Sequence, residues 1–142
     1  MALPPPEPGT VIRYAYLWAA EQDQGREEGT KDRPCVVVVA TRRVDDRLIV
    51  TVVPVTRSPQ GGAAVKIPPD VKARLGLEPG EASWIVCREL NEFEWPGPDL
   101  RPISRTGGWQ YGKLPDRLFL QVARSLRAAA GGRRLRVVPR TS

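Results

Sequence analysis

Arg33-Pro34-Cys35-Val36-Val37-Val38-Val39-Ala40, a turn at Asp45-Asp46, and the return from Leu48 to Thr56 decide the fold of this chain. The outgoing run is continuous and β-branched, as expected of a strand buried on both faces. Leu48-Ile49-Val50-Thr51-Val52-Val53-Pro54-Val55 has the same character, and two acids mark the reversal between them. The two runs read as an antiparallel hairpin. Facing residues in such a pair have numbers of constant sum, and a reversal centred between Val44 and Asp45 sets that sum at 89. Arg33 and Thr56 share it, so they face each other at the open end with Cβ atoms about 5 Å apart.

That pair is the first candidate site. Pro34 holds Arg33 extended, so the guanidinium starts from a stiff point. Arginine offers a planar fork of donors suited to phosphate, and Thr56 adds a hydroxyl. Lys31, Arg57, Ser58 and a loop containing Gly61 and Gly62 lie close by in sequence. A second reading has Arg33 salt-bridged to Asp32 or Glu28, with Thr56 closing a strand end. The residues by themselves leave the two level.

Outward from the hairpin, Val11 to Trp18 reads as a strand with Ile12, Tyr14, Tyr16 and Trp18 on one face. Ala19 to Asp32 is polar, without helical periodicity, and reads as a loop. Ala63 to Ile67 is a short strand, and Pro69 to Leu75 a helical turn or two ended by Gly76. Ser83 to Leu90 is another strand. Asn91 to Ile103 reads as irregular edge structure, because Trp95-Pro96-Gly97-Pro98 opposes regular pairing. Tyr111 to Leu114 leads into a helix that Pro115 opens and Gly131-Gly132 stops, with Leu118, Phe119, Val122, Ala123 and Leu126 on its apolar face.

The composition suits one mainly β domain. Pro at 15 and Gly at 13 of 142 residues call for short elements and many turns, while 41% hydrophobic content supplies a core. No apolar run reaches the ~18 residues that span a bilayer, and no signal peptide opens the chain, so the expected compartment is the cytoplasm. With no histidine, a histidine-based triad or proton shuttle is excluded. Cys35 and Cys87 sit in apolar stretches and read as buried thiols. The net charge of +6 is concentrated in the tail by Arg133, Arg134, Arg136 and Arg140. Such a tail fits nucleic acid or an acidic partner, or serves solubility alone.

Three pieces in order, Gly9-Thr10-Val11-Ile12, Lys31 to Val38, and Val53-Pro54-Val55-Thr56, resemble the MazF/PemK/Kid family of toxin–antitoxin ribonucleases. The resemblance extends through Ser83 to Trp95 and the terminal helix. It divides the chain into a proline-rich lead-in (1–8), a barrel domain with its C-terminal helix (9–130) and a basic tail (131–142). It implies a small SH3-like barrel, a homodimer, and growth inhibition relieved by a cognate antitoxin. It also implies metal-independent and cofactor-independent cleavage of single-stranded RNA, in which the 2′-hydroxyl attacks the phosphate to leave a 2′,3′-cyclic product. Arg33 and Thr56 would then be catalytic, with Lys31, Arg57, Ser58, Arg88, Glu89 and Trp109 binding substrate.

Two departures stand out. Thr10 replaces the usual acid after Gly9. Where some relatives carry Arg-x-Asp, this chain has the adjacent Arg88-Glu89, and adjacent strand residues face opposite sides unless a bulge intervenes. A surface ion pair is the other reading of these two. Trp18, Trp84, Trp95 and Trp109 suit base stacking or core packing. Two other functions fit the same barrel: an RNA-binding or regulatory module without catalysis, and, ranked last, a gyrase poison.

Overall fold

A computed structural model describes residues 4–25, 31–59, 61–103, 106–132 and 135–140. Its centre is the hairpin of β2 (Arg33–Val44) and β3 (Arg47–Thr56). Asp45 and Asp46 both take positive φ, +49° and +66°, the pairing that lets a two-residue turn match the twist of its strands. Facing numbers sum to 91 beside this turn (Val44 with Arg47). Two irregularities, between Arg42 and Val39 and between Val39 and Val37, bring the sum to 89 from Val37–Val52 to Cys35–Pro54. The expected register therefore holds at the open end, although the turn lies one residue later than expected.

Strand β1 (Thr10–Tyr14) pairs antiparallel with β2. It ends at Tyr14 rather than Trp18, yet Ile12, Tyr14, Tyr16 and Trp18 all reach one cluster as their alternation requires. The Ala19–Asp32 segment is not wholly loop: α1 (Ala19–Asp23) forms one short turn of helix, too brief to show periodicity. Glu27, Glu28 and Gly29 lie outside the described residues.

The far edge of β3 forks. β4 (Ala64–Lys66) pairs with β5 (Trp84–Val86), which joins the Val55–Thr56 end, while β6 (Glu89–Glu94) joins Ile49 to Val52. The expected single strand from Ser83 to Leu90 thus breaks at Cys87-Arg88. Residues 91–94, expected to be irregular, belong to a strand paired on both edges. β7 (Gln110–Lys113) closes against β1. The described strands form one eight-stranded sheet, mainly antiparallel and curled into a half-barrel. Helix α2 (Pro69–Leu75) ends at Gly76 in the left-handed conformation (φ +69°), and α3 runs from Asp116 to Gly131, both as expected. Neither they nor α1 is long and apolar enough to cross a membrane.

Each face of the hairpin has its own core. Val36, Val53 and Val55 pack with Val71 and Leu75 of α2 and Leu118 and Val122 of α3. Cys35, Val37, Val50 and Val52 pack on the other face with Tyr14, Tyr16, Phe93 and Trp95. The Tyr14 and Phe93 rings stack at 4.4 Å. Both cysteines are free and buried, as their apolar surroundings require.

The C-terminal segment differs from a free basic tail. After α3, β8 (Arg136–Pro139) runs parallel to β6. Arg140 then turns inward, its side chain 2% exposed, to meet Asp99 at 2.5 Å. It also donates to the Ala15 carbonyl at 2.7 Å and lies over the Tyr14 ring. Pairing a long-range carboxylate turns this arginine from a solvated charge into a core residue. Arg133 and Arg134 lie outside the described residues.

Candidate functional site

The open end of the hairpin puts Arg33 and Thr56 on the same rim. Continuing the Cys35–Pro54 register places them opposite one another. Both line a cleft of ≈ 770 Å³, together with Lys31, Arg57 and Ser58. Arg13, Asp32, Glu78 and Tyr111 complete its charged and polar wall. Four cations face two carboxylates here, which favours an anionic ligand. Asp32 is also partly neutralised, by Arg13 at 3.9 Å and Arg101 at 3.5 Å.

Strand alternation directs the Arg33 and Thr56 side chains to the aromatic face, with Cys35 and Val52. The cleft's Val55, Leu77 and Tyr111 belong to the helix face. The pair therefore stands where cleft and aromatic face meet. The Arg33 guanidinium donates from Nη1 to the Val55 carbonyl at 3.4 Å and lies 5.0 Å from the centre of the Trp18 ring. Its Nε is buried with no hydrogen-bond partner. No carboxylate among the described residues pairs with Arg33, since Asp32 is committed to Arg13 and Arg101.

Thr56 closes a small turn around its own hydroxyl. Its Oγ1 donates to the Ser58 carbonyl at 3.3 Å and accepts from the Ser58 amide at 3.2 Å. This brakes the Arg57–Pro59 loop at the rim. Arg57 is exposed and pairs with Glu81 at 3.1 Å, an interaction that exchanges readily for a ligand because solvent screens it. Lys31 is exposed.

Arg88, Glu89 and Trp109 do not line the cleft. Arg88 contacts the surroundings of the Arg33–Thr56 rim instead: it donates to the Pro59 carbonyl at 3.1 Å and its guanidinium lies 5.8 Å from the centre of the Trp18 ring. Glu89 is buried and accepts from the Ala19 amide at 2.9 Å and the Tyr16 hydroxyl at 3.2 Å. These contacts correct the reading of Arg88-Glu89 as a surface ion pair. The strand break at Cys87-Arg88 allows neighbours to serve different partners. Trp109 is half-buried, edge-on to Trp95 at 5.1 Å.

Trp18, suited on sequence to base stacking or core packing, instead lies against the Arg33 guanidinium, and Asn91, which no motif singled out, is fully buried and holds both backbone polar groups of Leu17.

Residues 13–129 match the family described as PemK-like, MazF-like toxin of type II toxin-antitoxin system. No curated protein matches the chain.

Proposed function

This chain belongs to the PemK-like, MazF-like toxins of type II toxin–antitoxin systems, which implies a cognate antitoxin, and from that premise we propose that it is an endoribonuclease acting on single-stranded RNA. The observation that carries the reading is the Arg33–Thr56 rim, a fixed guanidinium without a carboxylate partner among the described residues, opposite a hydroxyl at the edge of a basic cleft. The 2′-hydroxyl attacks its neighbouring phosphorus, the P–O5′ bond breaks, and a 2′,3′-cyclic phosphate and a 5′-hydroxyl result. Negative charge grows on the phosphoryl oxygens along the way. Arg33 stabilises that charge, and Thr56 turns its hydroxyl proton from the exposed Ser58 carbonyl to a non-bridging oxygen, contributions of about 2.7–4 kcal/mol for a well-placed donor. Lys31 and Arg57 hold flanking phosphates, and Ser58 fixes the Thr56 hydroxyl. A homodimer, as in the family resemblance, would offer two such rims.

Arg33 is always protonated and Thr56 is a weak base, so the clamp acts by charge stabilisation rather than proton transfer. Glu89, the acid of the Arg88-Glu89 pair that stands where some relatives carry Arg-x-Asp, is spent on Tyr16 and Ala19. That burial favours a second reading, an RNA-binding module without catalysis. Incubating purified protein with end-labelled single-stranded RNA separates them: the ribonuclease yields products bearing cyclic phosphate, the binding module a shifted complex with intact RNA.

A further inference from the structure

We propose that Trp18 is a positioning residue that fixes the Arg33 guanidinium at the rim and ties it to the loop following Thr56; the proposal rests on the ribonuclease reading for its activity readout only. One indole serves two arginines, with Arg33 at 5.0 Å and Arg88 at 5.8 Å from the ring centre. Such contacts favour a cation held over the ring face, more so where water is partly excluded. Arg88 in turn holds the Pro59 carbonyl, three residues beyond Thr56. It also passes so close to Gly62 that a Cβ there would come within 2.9 Å of Arg88 Cδ. The indole thus joins the two sides of the clamp through a pair of guanidinium groups.

The backbone on both sides of the ring is held by buried polar groups of β6. Residues 15–18 leave the sheet after β1, so their backbone needs substitute partners. Asn91 supplies both for Leu17, accepting from its amide at 2.9 Å and donating to its carbonyl at 2.8 Å. Glu89 accepts from the Ala19 amide, and Glu21 from the Trp18 amide at 3.0 Å. Tyr16 meets the indole edge-on at 5.3 Å. Both backbone neighbours of Trp18 are therefore pinned to β6. Burying an asparagine and a glutamate costs free energy unless each is satisfied, and here both are satisfied in part by the backbone on either side of one ring.

The test compares wild type, Trp18→Leu and Trp18→Phe. The single-turnover cleavage rate, the Kd for an uncleavable 2′-deoxy oligonucleotide and the NMR mobility of the Arg33 Nε–Hε vector are measured for each. Loss of positioning predicts a rate about 10–100-fold lower in Trp18→Leu, with the Kd within about twofold and the Nε–Hε vector mobile. Trp18→Phe, which keeps a ring, recovers most of the loss. A wild-type rate in Trp18→Leu overturns the proposal. So does a loss confined to Kd, which would make the indole a base-stacking surface instead. If the leucine variant does not fold, Trp18→Met, which also lacks a ring, takes its place, and an unaltered Arg33 vector and rate in that variant overturn the proposal. Wild-type protein that cleaves no RNA removes the ribonuclease reading alone; a vector loosened in Trp18→Leu then still supports the indole's hold on Arg33.

Discussion

Arg33 Nη1 donates to the carbonyl oxygen of Val55 at 3.4 Å, stitching the end of one hairpin strand to the other immediately before Thr56. The bond is long for an N–H···O contact and does little to hold the hairpin, which the ladder from Cys35–Pro54 onward already secures. Its effect is to aim the guanidinium. The buried Nε without a partner costs on the order of 1–3 kcal/mol. A fold that retains such a donor at its strand mouth is set up for a ligand rather than for stability.

Arg33→Lys tests whether charge alone suffices. Lysine keeps the positive charge but has neither the planar fork nor the flat face that lies over Trp18. Cleavage is expected to fall nearly as far as in Arg33→Ala, about 10²–10³-fold in kcat, with thermal stability equal to or above wild type. Single-turnover kinetics beside a melting curve would show both.

Arg140→Met tests the C-terminal lock. Asp99 is 9% exposed and, among the described residues, is left with Arg101 at 3.6 Å once Arg140 is gone. Removing one partner of a buried pair costs about 3–5 kcal/mol. The remaining arginine places this case near the lower figure. Urea unfolding should show that loss, and the double variant Arg140→Met with Asp99→Leu should recover part of it.

The hairpin was legible because its information is local: β-branched runs, a turn, and an alternation that sets faces. The sum of 89 towards the open end came out correctly through two offsetting features, a turn one residue late and two irregularities that shift the register back. Irregularities leave no mark in a run of valines. What stayed hidden was long-range. Arg140 looked like tail charge because Asp99 is 41 residues away, and Arg88-Glu89 looked like a surface pair because the partners of Glu89, Tyr16 and Ala19, lie at least 70 residues away. The role of Trp18 depends on a ring lying between two arginines that no spacing rule brings together.

Stability should decline in alkali. Burial pushes the Tyr14 and Tyr16 phenols and the Cys35 and Cys87 thiols above their ordinary ranges, with the nearby Glu89 carboxylate adding to the effect on Tyr16. The unfolded chain ionises from about pH 8.5 for thiols and 10 for phenols, while the folded chain keeps these protons. The unfolded state then binds fewer protons, so unfolding free energy is level for these groups at neutral pH and falls above about pH 8.5. The limit is about 1.4 kcal/mol per pH unit per group. Urea midpoints at pH 7.5 and 10.5 measure the fall, and Tyr16→Phe should make it shallower.

The most direct test of the phosphate clamp is cleavage of single-stranded RNA by purified protein in EDTA, with Arg33→Ala and Thr56→Ala alongside. The clamp predicts products ending in 2′,3′-cyclic phosphate from wild type and a loss of about 10²–10³-fold in rate for each variant. Wild-type rates in both variants would contradict it.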